Sequence, residues 1–276
     1  EPVAVLVSLA GSARDHTDGT LAAVGLGVRS AAEECGASVI GGDLTRSTGP
    51  LVVDVTVIGR TSNLILRSGA QPGDDLWVTG TLGAAATAVR LHARGLTPDE
   101  SLRTRFERPE PRLAAARWLA ATGFVHALID LSDGLVGDAG HLAAASGVRL
   151  HIEAERVPQD PAAVDLVAAV AGGEDYELLF AADPALRTRV AEFEAACPGL
   201  ALTRIGRVHP IRAPGAAQAA GDAQATGAAQ AEGDAQAAGV AGVAAEDQAR
   251  PGVAFTRDGA PWHPPHAYDH FAESTT

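Results

Sequence analysis

The stretch "AGGEDYELLF", residues 171–180, decides how this chain is read. Gly172 and Gly173 make a turn, Glu174 and Asp175 leave it side by side, and the run that follows reads as a buried strand. Glycine at such a turn permits unusual backbone angles and lets a ligand come close to the backbone. The arrangement recurs in "GGDLTRS" at 41–47 and in "IDLSDG" at 129–134. Each follows an apolar run and sets carboxylates where a strand gives way to a loop. Sheets of α/β and related proteins gather their ligands at such strand ends.

Outward from these turns, strands and helices interleave along the chain. Strands are expected over 3–10, "ASVI", 51–59, the end of "SGAQPGDDLWVTG", "HALIDL", "VRLHIE", the run after Tyr176, about 200–208 and "GVAFTRDG". Helices are expected over 19–35, about 82–94, the segment from Pro111 to Gly123, "LVGDAGHLAAASG", "DPAAVDLVAAV" and about 184–196. The pattern is mixed, α/β or α+β, and "GLGVRS" lacks the third glycine of a dinucleotide fingerprint. Residues 213–250 change character: Ala, Gly and Gln in a loose repeat with almost no large apolar side chains. Such a segment cannot offset the entropy of ordering, so a disordered surface insertion is expected.

Composition narrows the function. The 276 residues, 46% of them hydrophobic, suffice for one large domain or two ordinary ones. No apolar run is long enough to span a bilayer and no signal segment opens the chain, so a cytoplasmic protein is the expectation. The chain has no methionine and opens directly on a strand, which predicts that part of a first domain is missing. It has no lysine, so every fixed cation is Arg and a Walker phosphate loop is excluded. A formal charge of −13 argues against a nucleic-acid or anionic-membrane surface. It leaves nucleotide binding open, because carboxylates hold phosphates through Mg²⁺. Cys35 and Cys197 lie far apart without CxxC spacing and read as free thiols, not zinc ligands.

The residue types at the three turns fit one chemistry. Asp43, Asp130 and Asp133, with hydroxyls and water, supply the hard oxygens that Mg²⁺ takes. Asp130 and Ser132 share a face if both are extended. Arg46 and Arg67 offer fixed charge and fork geometry for phosphate oxygens. Plainer readings stand beside this one. Ser132 or Asp133 could cap the helix that begins near Leu135, Asp43 could be a turn residue, and Glu174 with Asp175 a solvated turn. Asp74 and Asp75, after Pro-Gly, read as turn residues, and Asp138 with His141 as a helix-surface pair.

The segments "GGDLTRS", "LRSGAQPGDDLWVTG", "RPEPRL", "IDLSDGL", "GGEDYELLF" and "YDHF", in that order, resemble the thiamine-monophosphate kinases of the aminoimidazole ribonucleotide synthetase superfamily. The resemblance implies two α+β domains: the remainder of an N-terminal domain over 1–64, truncated at its start, and a C-terminal domain over 65–276. It implies phosphoryl transfer from ATP to thiamine monophosphate, and a homodimer in which N-terminal domains pair into a barrel. By motif, Gly42, Asp43, Arg67 and Ser132 would meet ATP, and Asp43, Asp130 and Asp133 would hold Mg²⁺. Glu174 would contact the thiamine substrate. A C-terminal aromatic of the family aligns with Pro265, three residues before Tyr268, so Pro265, Trp262 or Tyr268 would stand at the substrate. The family's upstream Gly-Asp-Asp turn, second Asp-bearing strand and Asn-x-Ser-Asp helix start do not precede "EPVAVLV". A binding protein without catalysis, or another ATP-using member of the superfamily, is the alternative.

Overall fold

The computed structural model describes residues 1–211 and 250–266. The expected insertion at 213–250, apart from Arg250, and the closing "YDHF" with Tyr268 lie outside the described residues. The chain divides into two compact units, Glu1–Leu64 and a second from Ile65 onward.

The first unit is a three-stranded sheet with two helices. β1 (Pro2–Gly11) lies in the middle, parallel to β2 (Ser38–Arg46) and antiparallel to β3 (Val52–Gly59). Between β1 and β2 run the short α1 (Ala13–Thr17) and the longer α2 (Thr20–Glu34). α1 starts at a capping box: Asp15 N donates to the Ser12 hydroxyl and Ser12 N to the Asp15 carboxylate. Ala32 and Ala37 bury against Val5, with Val7, Val28 and Val39 around them. β3 carries no such cover, and Val53, Val55 and Val57 remain exposed.

The sequence predicts a loop at "GGDLTRS", whereas β2 continues through Gly41, Gly42 and Asp43 to Arg46. Gly42 explains the difference. A Cβ there would stand 1.7 Å from the Val7 carbonyl oxygen, so only glycine lets the two strands pair. Asp43 is therefore a strand residue opposite Ser8, not a turn residue.

The second unit is a seven-stranded mixed sheet in the order β10-β9-β6-β8-β4-β7-β5. Its strands are β4 (Asp75–Thr79), β5 (Val125–Asp130), β6 (Arg149–Glu153), β7 (Leu178–Ala182), β8 (Leu202–His209), β9 (Gly252–Arg257) and β10 (Ala260–Trp262). Only the β6–β9 pair is parallel. β7 sits between β4 and β5 and is buried on both faces, hence its unbroken apolar run. Leu179 and Ala181 join the core under α6 (Leu135–Ser146) and α7 (Leu166–Ala171). Leu178, Phe180 and Ala182 join the opposite core with Leu119 of α5 (Leu113–Thr122) and Phe193 of α8 (Val190–Ala196). α3 (Ala84–Ala93) packs on α4 (Glu100–Glu107) around Ala84, Ala88 and Leu102.

Two local differences from the sequence reading have clear causes. α4 is an element beyond those expected, started by the Asp99 carboxylate accepting from Leu102 N. The helix expected over "DPAAVDLVAAV" begins only at Leu166. Asp160 accepts from Ala162 N in a turn, and Asp165 caps the helix by accepting from Ala168 N.

Asp74 and Asp75 are not solvated turn residues. Asp74 is buried, accepts from Gln71 N and lies 3.0 Å from His126 Nδ1. Asp75 is fully buried and holds the forks of Arg187 and Arg204, with Arg207 at 3.5 Å. These contacts hold the Asp75 carboxyl below its ordinary value, against the opposing effect of burial. Removing the carboxylate strips the largely buried Arg204 of its nearest acid and unties Arg187 and Arg207, which can turn to water. Asp75→Ala is therefore expected to cost about 3 kcal/mol, read as a lower midpoint in urea unfolding.

Candidate functional site

The turn at 172–177 and the loop at 130–134 are built as one piece. Glu174 N donates to the Ser132 carbonyl at 2.8 Å, Tyr176 N to the Leu131 carbonyl at 2.8 Å, and Leu131 N to the Glu177 carbonyl at 2.8 Å. The glycines make this possible. A Cβ on Gly173 would lie 2.4 Å from the Ser132 carbonyl oxygen, and one on Gly134 2.7 Å from that of Gly172. The backbone twists to follow: Glu174 has φ 69° and Tyr176 φ 50°, in the left-handed region that costs a non-glycine residue of order 1 kcal/mol.

Within the turn the two acids have different fates. Asp175 points inward and accepts from Gly83 N at 2.9 Å with one oxygen and 3.1 Å with the other, at the start of α3. Burial pushes its carboxyl up to about 7 despite those bonds. Glu174 points elsewhere, and its carboxylate accepts from the Tyr176 hydroxyl at 3.0 Å. Burial first, and then Glu174, push the Tyr176 phenol up to about 12, so it stays a donor. Asp175 is thus structural, and Glu174 is the acid the turn presents.

The loop at 130–134 also departs from the capping alternative. The N-cap of α6 is Gly134, and no side chain caps it. Asp133 instead donates its backbone N–H to the Asp138 carboxylate at 3.0 Å. Asp138 is buried, not on the helix surface, and burial together with Asp133 and Asp130 pushes it up to about 6. Asp130 is exposed at the end of β5.

Arg67 reaches the same place through backbone anchors. Leu128 N donates to the Leu66 carbonyl, and the Ser146 hydroxyl donates to the Arg67 carbonyl while accepting from Ala70 N. Arg67, Asp130, Ser132 and Asp133, each singled out in the sequence, line one cavity of about 550 Å³ with Asp138 and His141. Gly42 and Asp43 lie in the first unit, where the Thr45 hydroxyl donates to Asp43 at 2.6 Å. Pro265 is exposed beyond β10, and Tyr268 lies outside the described residues. Among the described residues no three His, Cys, Asp or Glu side chains are grouped tightly enough to hold a metal. The donor set of Asp130, Ser132 and Asp133 is nevertheless all hard oxygen, which suits Mg²⁺ completed by phosphate oxygens and water.

Sequence reasoning missed Tyr176 and Asp138. Tyr176 reads as an apolar strand residue until its φ is known. Asp138 reads as a surface acid because the cover over it comes from residues distant in the chain.

A mixed sheet flanked by helices, with carboxylates and an arginine gathered at one strand end, defines an α+β protein. The chain belongs to the AIR synthase related family, whose C-terminal domain matches residues 71–212 and whose N-terminal domain matches residues 1–61. Within that family it is similar to thiamine-monophosphate kinases. It is 36% identical to that of Rhodopirellula baltica over 216 residues, 75% of this chain and 62% of the relative. The crystal structure of thiamine-monophosphate kinase from Stenotrophomonas maltophilia superimposes with a TM-score of 0.65 at 36% identity, covering 76% of this chain and 70% of that one. AaThiL complexed with AMPPCP and TMP superimposes with a TM-score of 0.70 at 26% identity, covering 98% and 74%. The chain therefore spans about three fifths of the length of the Rhodopirellula relative. No described helix is long and apolar enough to cross a membrane, and Cys35 and Cys197 are free thiols.

Two measurements check this geometry. Gly173→Ala forces the two loops apart and is expected to cost about 2 kcal/mol in thermal or urea unfolding. By contrast, Gly25→Ala, with open space around it in α2, should gain about 0.5–1 kcal/mol. The second measurement is pH dependence. Native Asp175 keeps its proton up to about 7, whereas the unfolded chain releases it near 3.8. The native state then binds more protons across that window, so stability falls as pH rises from about 4 to 7. Asp175→Asn should flatten that slope of melting temperature against pH.

Proposed function

We propose that this protein transfers the γ-phosphoryl group of ATP to the phosphate of thiamine monophosphate, giving thiamine diphosphate, in the cytoplasm. The observation that carries the reading is the interlock of the two loops. It ties the turn that bears Glu174 to the loop that bears Asp130, Ser132 and Asp133, so a substrate recogniser and a phosphate site share one frame. The names of the similar proteins support it, as does the AMPPCP and TMP bound to AaThiL.

The acceptor needs little activation. A phosphate monoester is mostly dianionic near neutral pH, so it attacks without a general base. The barrier is the crowding of negative charge, which positioning and electrostatics relieve. In this reading Arg67 donates its guanidinium fork to ATP phosphate oxygens and Ser132 donates its hydroxyl to the nucleotide. Gly42 lets the chain approach ATP beside Asp43. Asp43, Asp130 and Asp133 are the carboxylates that would hold Mg²⁺, which would neutralise the phosphate oxygens in flight. Glu174, steadied by the Tyr176 hydroxyl, accepts from the amino group of thiamine or pairs with its cationic ring. Pro265 and Tyr268 stand in the C-terminal segment that would close on the substrate.

The assembly proposed with this activity is a homodimer formed by the first unit. Its support is the exposed apolar set Val53, Val55 and Val57 on β3 with Leu44 on β2, which share one face of the sheet. Leaving such a patch in water is unfavourable.

Asp130→Asn tests the site. Asp130 is exposed and holds no side-chain partner in the described residues, so the fold should persist while Mg²⁺-dependent ATP binding falls by at least about tenfold. Unchanged ATP affinity in that variant would remove Asp130 from the site. ³¹P NMR of the chain with Mg·ATP and thiamine monophosphate reads the reaction itself: appearance of the diphosphate resonances supports it. Saturable binding of both ligands without turnover would favour a binding protein instead.

A further inference from the structure

On the other side of the Glu177 side chain lies a second cavity, of about 390 Å³, that the proposed reaction does not use. It opens between the end of β4, the segment leading into α5, and the turn from α8 to β8. Glu177 forms its floor and is fully buried. Its charge is already met: Arg112 grips it with Nε at 2.8 Å and Nη2 at 2.6 Å, and the Thr79 hydroxyl donates at 2.7 Å.

A second guanidinium then enters the same cavity. Arg105 donates Nη2 to the Thr81 carbonyl at 3.0 Å and reaches Glu177 only at 3.4 Å. Its Nε and Nη1 have no partner among the described residues. The buried Glu177 thus faces two arginines, of which Arg105 is also drawn by the Asp175 carboxyl. The remaining charge is Glu110 at the rim, 2.8 Å from Arg112 Nη1 and with a side chain 77% exposed. A bridge so exposed is weak, so an incoming anion can displace it. The rest of the wall is small and apolar, with Ala115, Cys197 and Leu200.

We propose that this cavity is a second ligand site, taking an oxyanion on a compact apolar body. The oxyanion lies against the free donors of Arg105 and against Arg112 Nη1, where the Glu110 carboxylate now sits. Arginine forks match carboxylate and phosphate alike, and the apolar wall accepts an aromatic or small aliphatic group. The site is independent of the reaction proposed above, although Glu177 also fixes the turn that presents Glu174.

Titration calorimetry of the full chain with phenyl phosphate and with benzoate tests this. At least one should bind saturably. Arg105→Gln should weaken that binding about tenfold, the effect of losing one charge-assisted hydrogen bond. Glu110→Gln should tighten it several-fold by removing the competing carboxylate, and Arg67→Gln should leave it unchanged. Arg112 is left in place, since its loss would strand the buried Glu177 charge. Absence of saturable binding, or loss of it with Arg67 and not with Arg105, would overturn the proposal. Should Arg105→Gln lower the melting temperature sharply, the exposed Glu110→Gln variant decides alone: unchanged affinity there counts against the site.

Discussion

The buried carboxylate of Glu177 is the interaction on which the second unit depends. It stands just before β7, the strand buried on both faces, and cannot be left without partners there. Arg112 and Thr79 satisfy it and so tie the start of α5 and the end of β4 to the same point. Space for it exists because Gly80 has no side chain: a Cβ there would lie 2.1 Å from Glu177 Oε1. With that residue fixed, the three before it can follow only a narrow path back across the loop at 130–134.

That path determines what the acidic turn can do. Its backbone N–H groups are consumed by the Leu131 and Ser132 carbonyls, and Asp175 is consumed by the start of α3. Glu174 is left half-buried, with its carboxylate accepting from the Tyr176 hydroxyl. Left-handed backbone at Glu174 and Tyr176 persists because these bonds over-determine it, and strain of this kind gathers at functional sites. The first unit contributes in another way. Its sheet brings Gly42 hard against β1 and fixes Asp43 within a strand, so the residue type and its backbone are both held rigid.

Two sets of charges divide the molecule's electrostatic work. Asp74, Asp75, Asp175 and Glu177 are buried or half-buried and each is matched by a histidine, by arginines or by backbone N–H groups. Their role is to pin loops to the sheet. Asp130 and Asp133 with Arg67 line a cavity instead, where the function proposed above places phosphate and metal. Arg105 touches the first set only at the margin, reaching Glu177 at 3.4 Å, and lines the second cavity with its remaining donors.

Much of this was legible in the chain itself. The apolar runs located the strands, and two of the three glycine-acid turns, at 129–134 and 172–177, fell at strand ends. Those features are local, and period and turn chemistry encode them in adjacent residues. The sequence could not sort acids of identical appearance. Asp75 and Asp130 both end or begin a strand, yet one is buried under Arg187 and Arg204 and the other is open. The partners of Asp75 lie more than a hundred residues away in the chain. Likewise, Glu174 and Asp175 are neighbours that part company because Gly83 N holds the Asp175 side chain while the Ser132 carbonyl holds the Glu174 backbone, both from distant segments. Burial and hydrogen bonding between remote segments assign these roles, and only the folded chain brings those segments together.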